Sequence, residues 1–281
     1  MNLLHIFALA IVQGVCELLP VSSSAHVIMA EKLMGLDPTT PDMTLLLVML
    51  HTGTMFAVIV YFWRSWRATY FASAQSLRAN GLNLIVATAL TGVVGLLLLQ
   101  VIKRVMARDA PDFEIEQLFG NPRVMAAGLA TAGLLILYSS RRRSETGLAL
   151  TPRRAAWIGA VQGLCLPFRG LSRSGATIST GLALGVARLR AEEFSFALAV
   201  VLTPAVIVKE GHRFMQSRAG DAAAASEGWL HLLGPSLVGM ALSFVAGLLA
   251  LRWLSSWLEH ERWYLFGAYC LLAAGVVFVL G

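Results

Sequence analysis

Long runs of hydrophobic residues, each close to twenty residues in length, dominate the pattern along this chain. An α-helix needs about 20 apolar residues to cross the hydrocarbon core of a bilayer, so each run predicts one membrane-spanning helix. The pattern therefore predicts an all-α polytopic membrane protein with about six transmembrane helices. The runs cover residues 43–63, 82–102, 123–140, 192–212, 230–251 and 263–280.

Two further apolar stretches, 3–35 and 155–187, are interrupted in the middle by polar residues. Each half is too short to cross a bilayer alone. We predict that both stretches are re-entrant helical hairpins, which enter the membrane and return to the side they came from. Such hairpins occur only where protein or a wet cavity covers the backbone.

The two interrupted stretches resemble each other, since Gln-Gly-Val-Cys at Gln13 matches Gln-Gly-Leu-Cys at Gln162. Each is followed by three hydrophobic runs. We interpret the chain as a single membrane domain, 1–281, that contains a first repeat, 1–140, and a second repeat, 155–281. A hairpin returns the chain to the side of the membrane from which it entered, and three membrane-spanning helices then carry the chain to the other side. The second repeat therefore starts on the opposite face of the membrane. The pattern thus predicts an inverted-topology repeat.

Composition agrees with a membrane protein. Hydrophobic residues make up 57% of the chain and charged residues only 14%, whereas a soluble domain carries about 25% charged residues. The mean hydropathy is +0.70, the net charge +6 and the sequence pI about 9.6. In a membrane protein a positive excess is typical of cytoplasmic loops, so we expect no nucleic-acid partner.

Arginines in the loops predict the orientation. The loop 64–81 contains three arginines and no acid, and the loop 141–154 contains five arginines against Glu145 alone. Both are predicted to be cytoplasmic. The first hairpin then enters from the outer side of the membrane and the second from the cytoplasm.

The first interrupted stretch places several polar groups in a short segment. Gln13 and Glu17 are four residues apart and share a helical face, and Pro20 then breaks the helix. Ser22–Ser24 lie where a second helix would begin, with His26 in its first turn. A serine run alone is typical of a helix cap. An ionisable side chain is costly in a membrane, however, so the carboxylate and imidazole favour a functional site, with the serines positioned to bind an anion.

The second interrupted stretch contains an arginine among small and hydroxylated residues. Gly170 and Gly175 predict a tight backbone able to surround an oxyanion, and Arg173 offers a planar fork suited to phosphate. Arg169 is equally well interpreted as an ordinary arginine at the cytoplasmic edge. Hydroxyl donors for the phosphate are predicted at Ser172, Ser174 and Thr177.

Other kinds of chemistry have no signature in the sequence. It contains no glycine-rich nucleotide loop followed by lysine, no paired metal-binding histidine motif and no nucleophile elbow. The three cysteines, Cys16, Cys165 and Cys270, lie in apolar segments and are predicted to be packing residues, not disulfides or metal ligands.

Two motifs resemble the undecaprenyl-diphosphate phosphatase family of the bacitracin-resistance type. They are Gln-Gly-x-x-Glu-Leu-Leu-Pro-Val-Ser-Ser-Ser-x-His from Gln13 and Gly-x-Ser-Arg-Ser-Gly-Ala-Thr-Ile-Ser from Gly170. The resemblance covers essentially the whole chain. It implies removal of one phosphate from undecaprenyl diphosphate, which recycles the carrier lipid for cell-wall synthesis. The implied location is the bacterial inner membrane, with the site open to the periplasmic side. The implied partners are a polyprenyl diphosphate and membrane lipids, and a homodimer is left open.

The resemblance also implies roles for single residues. Glu17, Ser23, His26 and Arg173 are the catalytic candidates, and Ser22, Ser172 and Ser174 are phosphate-binding candidates. The hydroxyls of the two segments themselves add Ser24 and Thr177 to the phosphate-binding candidates. In this interpretation Glu17 binds a divalent cation or activates the attacking group. Alternatively, Ser23 and His26 form a nucleophile–base pair. The sequence leaves the choice between a water and a serine nucleophile open.

The chain departs from the family pattern at two positions in these motifs. Gln13 stands where the family usually has glutamate, and Arg169 where it usually has proline. An amide cannot supply a second negative charge, so we expect Mg²⁺ or Ca²⁺ at Glu17 and Gln13 to be bound more weakly than at a two-carboxylate site. Arg169 adds a positive charge beside the phosphate loop.

Two other functions fit the same pattern. Inverted repeats with broken helices at the midplane are also the architecture of secondary transporters, so a flippase that moves a polyprenyl phosphate between leaflets is the main alternative. The weaker alternative is a catalytically inactive protein that binds a phospholipid through the Arg173 loop.

Overall fold

Helices account for most of the residues that the structure describes. The computed structural model describes residues 2–37, 40–106, 121–141, 147–168, 170–219 and 229–280. Within these ranges the chain forms ten helices, which confirms the all-α prediction. They are α1 (Leu3–Leu18), α2 (Ser23–Leu33), α3 (Pro41–Tyr70), α4 (Ala74–Met106), α5 (Pro122–Ser140), α6 (Pro152–Cys165), α7 (Arg173–Ala183), α8 (Arg188–Ala219), α9 (Trp229–Glu259) and α10 (Trp263–Leu280).

Five of these helices are long and apolar enough to cross a membrane, as expected for a polytopic membrane protein. The sixth predicted span, 263–280, is the single helix α10 of 18 residues. At 1.5 Å per residue it reaches about 27 Å, slightly less than the hydrocarbon core of about 30 Å. The five candidate spans are Met43–Tyr70, Ala74–Val105, Pro122–Ser140, Arg188–Val208 and Leu233–Glu259.

The surface of α4 shows whether the helices are surrounded by water or by lipid. Only 17% of its most hydrophobic window is buried, and large apolar side chains such as Ile85 and Leu96 are 68% and 63% exposed. A contiguous apolar face of this kind is unfavourable in water and favourable in lipid. The hydrophobic runs therefore correspond to lipid-facing helices and not to the core of a soluble domain.

Polar side chains cap the N-termini of several helices. The Asn121 side chain accepts hydrogen bonds from the Arg123 and Val124 backbone amides at the start of α5. Thr151 caps α6 through the Arg154 amide, and Ser172 caps α7. Each cap satisfies an amide that has no partner within its own helix.

The chain forms two compact units, which we describe separately. The first comprises Met1–Leu18, Ser23–Phe62 and Ala199–Trp253, and thus contains α1, α2 and most of α3. Buried apolar side chains from these helices form its core, which includes Ile6, Leu9, Ala10, Val27, Met43, Leu46 and Leu50.

The second unit comprises Leu19–Ser22, Trp63–Leu198 and Leu254–Gly281. Close helix packing is possible here because small residues face each other. A Cβ atom at Gly133 in α5 would lie 2.9 Å from the Gly267 carbonyl oxygen in α10, and one at Gly267 would lie 3.0 Å from the Gly133 carbonyl oxygen. Another apolar cluster includes Ala87, Ala155, Ile158, Phe194 and Leu198.

Candidate functional site

The first interrupted stretch forms two short helices joined by a turn. α1 ends at Leu18 and α2 begins at Ser23, because Pro20 has no amide to continue the helical hydrogen bonds. Ser22 in the turn has a φ of +67°, a left-handed conformation that is uncommon for residues other than glycine. The predicted break at Pro20 is confirmed, and it places Glu17 in the last turn of α1.

The Glu17 carboxylate is held by two side-chain donors of the first unit. The Ser23 hydroxyl donates to Glu17 Oε2 at 2.6 Å, and Gln13 Nε2 donates to the same oxygen at 3.3 Å. Gln13 is buried, with 1% of its surface exposed, and the Glu17 side chain is 18% exposed. The prediction that Gln13 and Glu17 share a helical face is therefore confirmed.

His51 on α3 completes this cluster, and the sequence analysis missed it. Its Nδ1 lies 2.8 Å from Gln13 Nε2 and 3.8 Å from Glu17 Oε2. The signal was present in the sequence, because His51 is a lone imidazole inside the hydrophobic run 43–63. The reasoning that made Glu17 a candidate applies equally to this residue. It was overlooked because it lies outside both signature motifs.

The remaining candidates of this stretch lie at the start of α2. Ser24 and His26 are half-buried in its first turn, and Ser22 is buried in the preceding turn. The Ser23 hydroxyl has one proton, and it donates this proton in a 2.6 Å hydrogen bond to Glu17 Oε2. In this arrangement the acceptor for Ser23 is the carboxylate and not the His26 imidazole. The Ser23–His26 nucleophile–base pair stays a prediction.

The second interrupted stretch also forms two short helices, α6 and α7. Arg173 is the first residue of α7 and is half-buried. The Ser172 hydroxyl oxygen accepts a hydrogen bond from the Gly175 amide at 3.2 Å, which caps the helix. The Arg173 guanidinium is therefore attached to a helix N-terminus, where the backbone also favours anions. Arg169 lies outside the residues that the structure describes.

The three predicted phosphate-binding hydroxyls of this stretch are buried. Ser172 and Ser174 are each 3% exposed, and Thr177 is fully buried. Thr177 Oγ1 donates to the Arg173 carbonyl oxygen at 2.8 Å and pairs with Ser195 Oγ of α8 at 2.6 Å. In this conformation the Thr177 hydroxyl fixes α7 against α8. Its contact with phosphate stays a prediction.

The turn between α1 and α2 is anchored within the second unit. Ser174 Oγ donates to the Leu19 carbonyl oxygen at 3.3 Å, and the buried Cys270 thiol donates to the Pro20 carbonyl oxygen at 3.1 Å. The structure thus satisfies two backbone acceptors in the turn between the helices. Cys270 therefore contributes a hydrogen bond in addition to packing. The prediction that the chain's cysteines form no disulfides is confirmed, since all three are free.

The two glycines of the second motif lie in closely packed surroundings, and their role around an oxyanion stays a prediction. Among the described residues only Gly35 and Gly185 are glycines with a positive φ, so Gly170 and Gly175 need no special backbone conformation. Gly170 is needed for space, and Gly175 lies in a tightly packed position. A Cβ at Gly170 would overlap the Met125 carbonyl oxygen, and one at Gly175 would lie 3.2 Å from Pro20 Cβ.

We expect Gly170→Ala to destabilise the protein by about 1–3 kcal/mol, because the added methyl group overlaps rigid backbone of α5. Thermal unfolding of the purified protein in detergent measures the effect. Gly92→Ala is the matched control, since a Cβ at Gly92 meets nothing within 4 Å. Equal unfolding temperatures for the two variants would contradict the close packing of Gly170 on Met125.

The second copy of the Gln-Gly-x-Cys motif has a different environment. Gln162 is fully buried, and its Nε2 donates to Thr91 Oγ1 of α4 at 3.3 Å. Leu166 occupies the position that corresponds to Glu17. The carboxylate is thus found in only one of the two matching motifs.

A divalent cation would find few protein ligands here. Among the described residues no group of three or more His, Cys, Asp or Glu side chains is arranged to hold a metal ion. Glu17 supplies one carboxylate, and its Oε2 already accepts two hydrogen bonds. These ligands fit the kind of Mg²⁺ site in which the protein supplies one carboxylate, and substrate phosphate and water complete the coordination.

Comparison with known proteins is consistent with the two motifs. A family model described as bacitracin resistance protein BacA matches residues 6–277. A relative from Acinetobacter baylyi, named undecaprenyl-diphosphatase 2, is 62% identical over 281 residues, which cover 100% of this chain and 98% of the relative.

More distant relatives carry a similar name. An undecaprenyl-diphosphatase from Psychrobacter sp. is 34% identical over 286 residues, covering 97% of this chain and 92% of the relative. One from Thermus thermophilus is 33% identical over 273 residues, covering 95% of this chain and 93% of the relative. The similarity therefore extends across the whole membrane domain.

Proposed function

Because the chain belongs to the bacitracin resistance protein BacA family, we propose that it hydrolyses undecaprenyl diphosphate to the monophosphate and so recycles the carrier lipid for cell-wall synthesis. The relatives named above are undecaprenyl-diphosphatases at up to 62% identity. The observation in this chain that carries the proposal is the Glu17 carboxylate, which accepts the Ser23 hydroxyl at 2.6 Å within an apolar helical segment. The relatives' names give no support to the transporter alternative.

In the proposed reaction the bond between the bridging oxygen and the terminal phosphorus breaks, and an attacking oxygen forms a new bond to that phosphorus. With water as the nucleophile the products are the lipid monophosphate and inorganic phosphate. With Ser23 as the nucleophile the lipid monophosphate leaves first, the phosphate stays bonded to the serine oxygen, and a water molecule then hydrolyses that bond to release inorganic phosphate. Charge spreads over the equatorial oxygens in the transition state, so positive charge and positioning supply most of the catalysis. Arg173, at the N-terminus of α7, is the proposed phosphate clamp.

Glu17 is the proposed proton acceptor. Its hydrogen bond to Ser23 already points the hydroxyl proton at the carboxylate, which is the geometry that a general base requires. The carboxylate would serve the Ser23 hydroxyl or a water molecule in the same position. When a Mg²⁺ ion is bound with the substrate, Glu17 and the Gln13 amide oxygen are its proposed protein ligands, and the ion would neutralise phosphate charge.

The direct test uses purified protein in detergent, where no membrane gradient exists. We expect release of inorganic phosphate from undecaprenyl diphosphate, with the lipid monophosphate recovered in equal amount. A mock purification from cells that do not express the chain controls for contaminating phosphatases. A transporter or a lipid-binding protein would release no phosphate, and that result would exclude the phosphatase proposal.

We also propose that the two halves of the chain are related as inverted-topology repeats with re-entrant hairpins. Support comes from equivalent glycines in the two hairpins. A Cβ at Gly14 in α1 would lie 2.8 Å from the Ser243 carbonyl oxygen of α9, and a Cβ at Gly163 in α6 would lie 2.8 Å from the Thr91 carbonyl oxygen of α4. In each case the hairpin of one repeat contacts the second span of the other repeat.

The α5–α10 pair supports the same proposal, since these helices are the third span of each repeat. Gly133 and Gly267 contact each other's carbonyl oxygens at nearly equal distances. Reciprocal contacts of this kind are what a two-fold axis generates. The axis of an inverted repeat lies in the membrane plane.

The proposed orientation in the inner membrane places 64–81 and 141–154 in the cytoplasm, with the active site open to the periplasm. We expect single cysteines introduced by Arg78→Cys and Arg142→Cys to be protected from a membrane-impermeant thiol reagent added outside intact cells. Labelling after permeabilisation is the control for reactivity. Labelling of both sites from the outside would overturn the orientation.

Gln13 gives a prediction about metal dependence. Gln13→Glu would place two carboxylates one helical turn apart, and a divalent cation would relieve their repulsion. We therefore expect half-maximal activation of Gln13→Glu at a lower Mg²⁺ or Ca²⁺ concentration than for the unsubstituted chain. Phosphate release measured against metal concentration tests this. Identical metal curves would show that residue 13 takes no part in binding the cation.

A further inference from the structure

The Gln13 amide has only one orientation compatible with its neighbours. An ionised carboxylate can accept hydrogen bonds but cannot donate them, so the NH₂ end of Gln13 must face Glu17 Oε2, 3.3 Å away. The same nitrogen lies 2.8 Å from His51 Nδ1. Because this nitrogen is the donor end of the amide, Nδ1 must be the acceptor.

The tautomer of His51 follows from this arrangement. A neutral imidazole has one donor and one acceptor nitrogen. With Nδ1 accepting from Gln13, the ring proton is on Nε2. Both N–H groups of the Gln13 amide are then used, one for Glu17 and one for His51.

The acceptor on α3 is therefore what completes the hydrogen bonding of Gln13. Gln13 is only 1% exposed, so no bulk water replaces a lost partner, and a buried donor without an acceptor is costly. Without an acceptor at residue 51 the amide would reorient towards other groups. Glu17 would then lose the Gln13 donor and part of the restraint on its carboxylate.

We propose that His51 is a positioning residue for the phosphatase reaction, which accepts a hydrogen bond from Gln13 and thereby fixes the amide that orients Glu17. The inference rests on the proposed function of the chain. His51 acts through Gln13, so its loss should slow the chemical step and leave substrate binding almost unchanged. An acceptor atom in the place of Nδ1 should be sufficient for this role.

Three substitutions at residue 51 test the proposal by steady-state phosphate release from undecaprenyl diphosphate. His51→Leu removes the acceptor, and we expect kcat to fall about tenfold with KM changed less than about twofold. His51→Asn keeps an oxygen close to the position of Nδ1, and we expect kcat within about threefold of the unsubstituted chain. His51→Gln is polar but carries its amide one bond farther out, and it should behave like His51→Leu. If His51→Leu does not fold, His51→Gln takes its place.

A second comparison separates positioning through Gln13 from a direct role. In a Gln13→Leu background, His51→Leu should cause no further loss of kcat, because the two residues act in sequence. The matched control is Gln162→Leu, which changes the equivalent glutamine, bonded to Thr91. In the Gln162→Leu background, His51→Leu should still lower kcat by about tenfold.

The outcomes distinguish the proposals. Full turnover of His51→Leu, loss in His51→Asn as large as in His51→Leu, or independent effects of Gln13→Leu and His51→Leu would each overturn the role of His51. If the unsubstituted chain itself releases no phosphate, the phosphatase proposal fails instead.

Discussion

Arg173→Lys should lower kcat/KM for phosphate release by about a hundredfold or more. Lysine keeps the positive charge, but it lacks the planar fork that can hold two phosphate oxygens at once. Losing transition-state hydrogen bonds of this kind typically costs on the order of 3 kcal/mol. Steady-state phosphate release by the purified variant in detergent measures the loss.

Two other arginines serve as comparisons. Arg188 forms an exposed ion pair with Glu261 at 2.7 Å, and Arg188→Lys should be nearly neutral because such surface pairs contribute little. Arg169→Ala should cost much less than Arg173→Lys if Arg169 is an edge arginine. Near-normal turnover of Arg173→Lys together with an inactive Arg169→Ala would show that Arg169 is the phosphate clamp.

Glu17→Gln should lower kcat by at least about a hundredfold, within the range attributed to a general base. The substitution preserves size and the capacity to accept one hydrogen bond, but it removes the charge that attracts the Ser23 proton. It also removes the proposed carboxylate ligand of a divalent cation. Single-turnover phosphate release at saturating lipid separates this effect from a change in binding.

Glu259→Gln is a control for the same change at an exposed residue at the end of α9, and it should retain full activity. Unchanged activity of Glu17→Gln would show that the carboxylate mechanism is wrong. The Ser23–His26 pair would then become the better candidate, and Ser23→Ala and His26→Gln would be the variants to compare.

Hydrophobic periodicity was sufficient to predict the all-helical membrane fold and the two interrupted stretches. The reason is that lipid demands long apolar helices, and Pro20 ends a helix by chemistry that is local to the sequence. The pairing of Gln13 with Glu17 was predictable on the same grounds, since residues four apart share a face of any helix.

Contacts between distant parts of the sequence were not predictable in this way. His51 contacts Gln13 across 38 positions, and Ser195 pairs with Thr177 through the packing of α7 on α8. Gly170 was assigned to backbone freedom, whereas the structure requires it for the approach of Met125. One sequence shows which residue types are available, but tertiary packing decides which of them meet.

The hydrogen bond from Cys270 to the Pro20 carbonyl oxygen has a practical consequence for experiments with thiol reagents. A cysteine-free background is needed for labelling, and alanine at residue 270 would leave a buried carbonyl without its donor. Serine retains a donor at the same position, so Cys270→Ser is the replacement to use there. Alanine is suitable at Cys165, whose thiol donates to Val161 within its own helix. A background with alanine at all three cysteines would therefore loosen the turn beside the catalytic candidates. A change in labelling or in activity could then come from the loosened turn and not from the introduced cysteine.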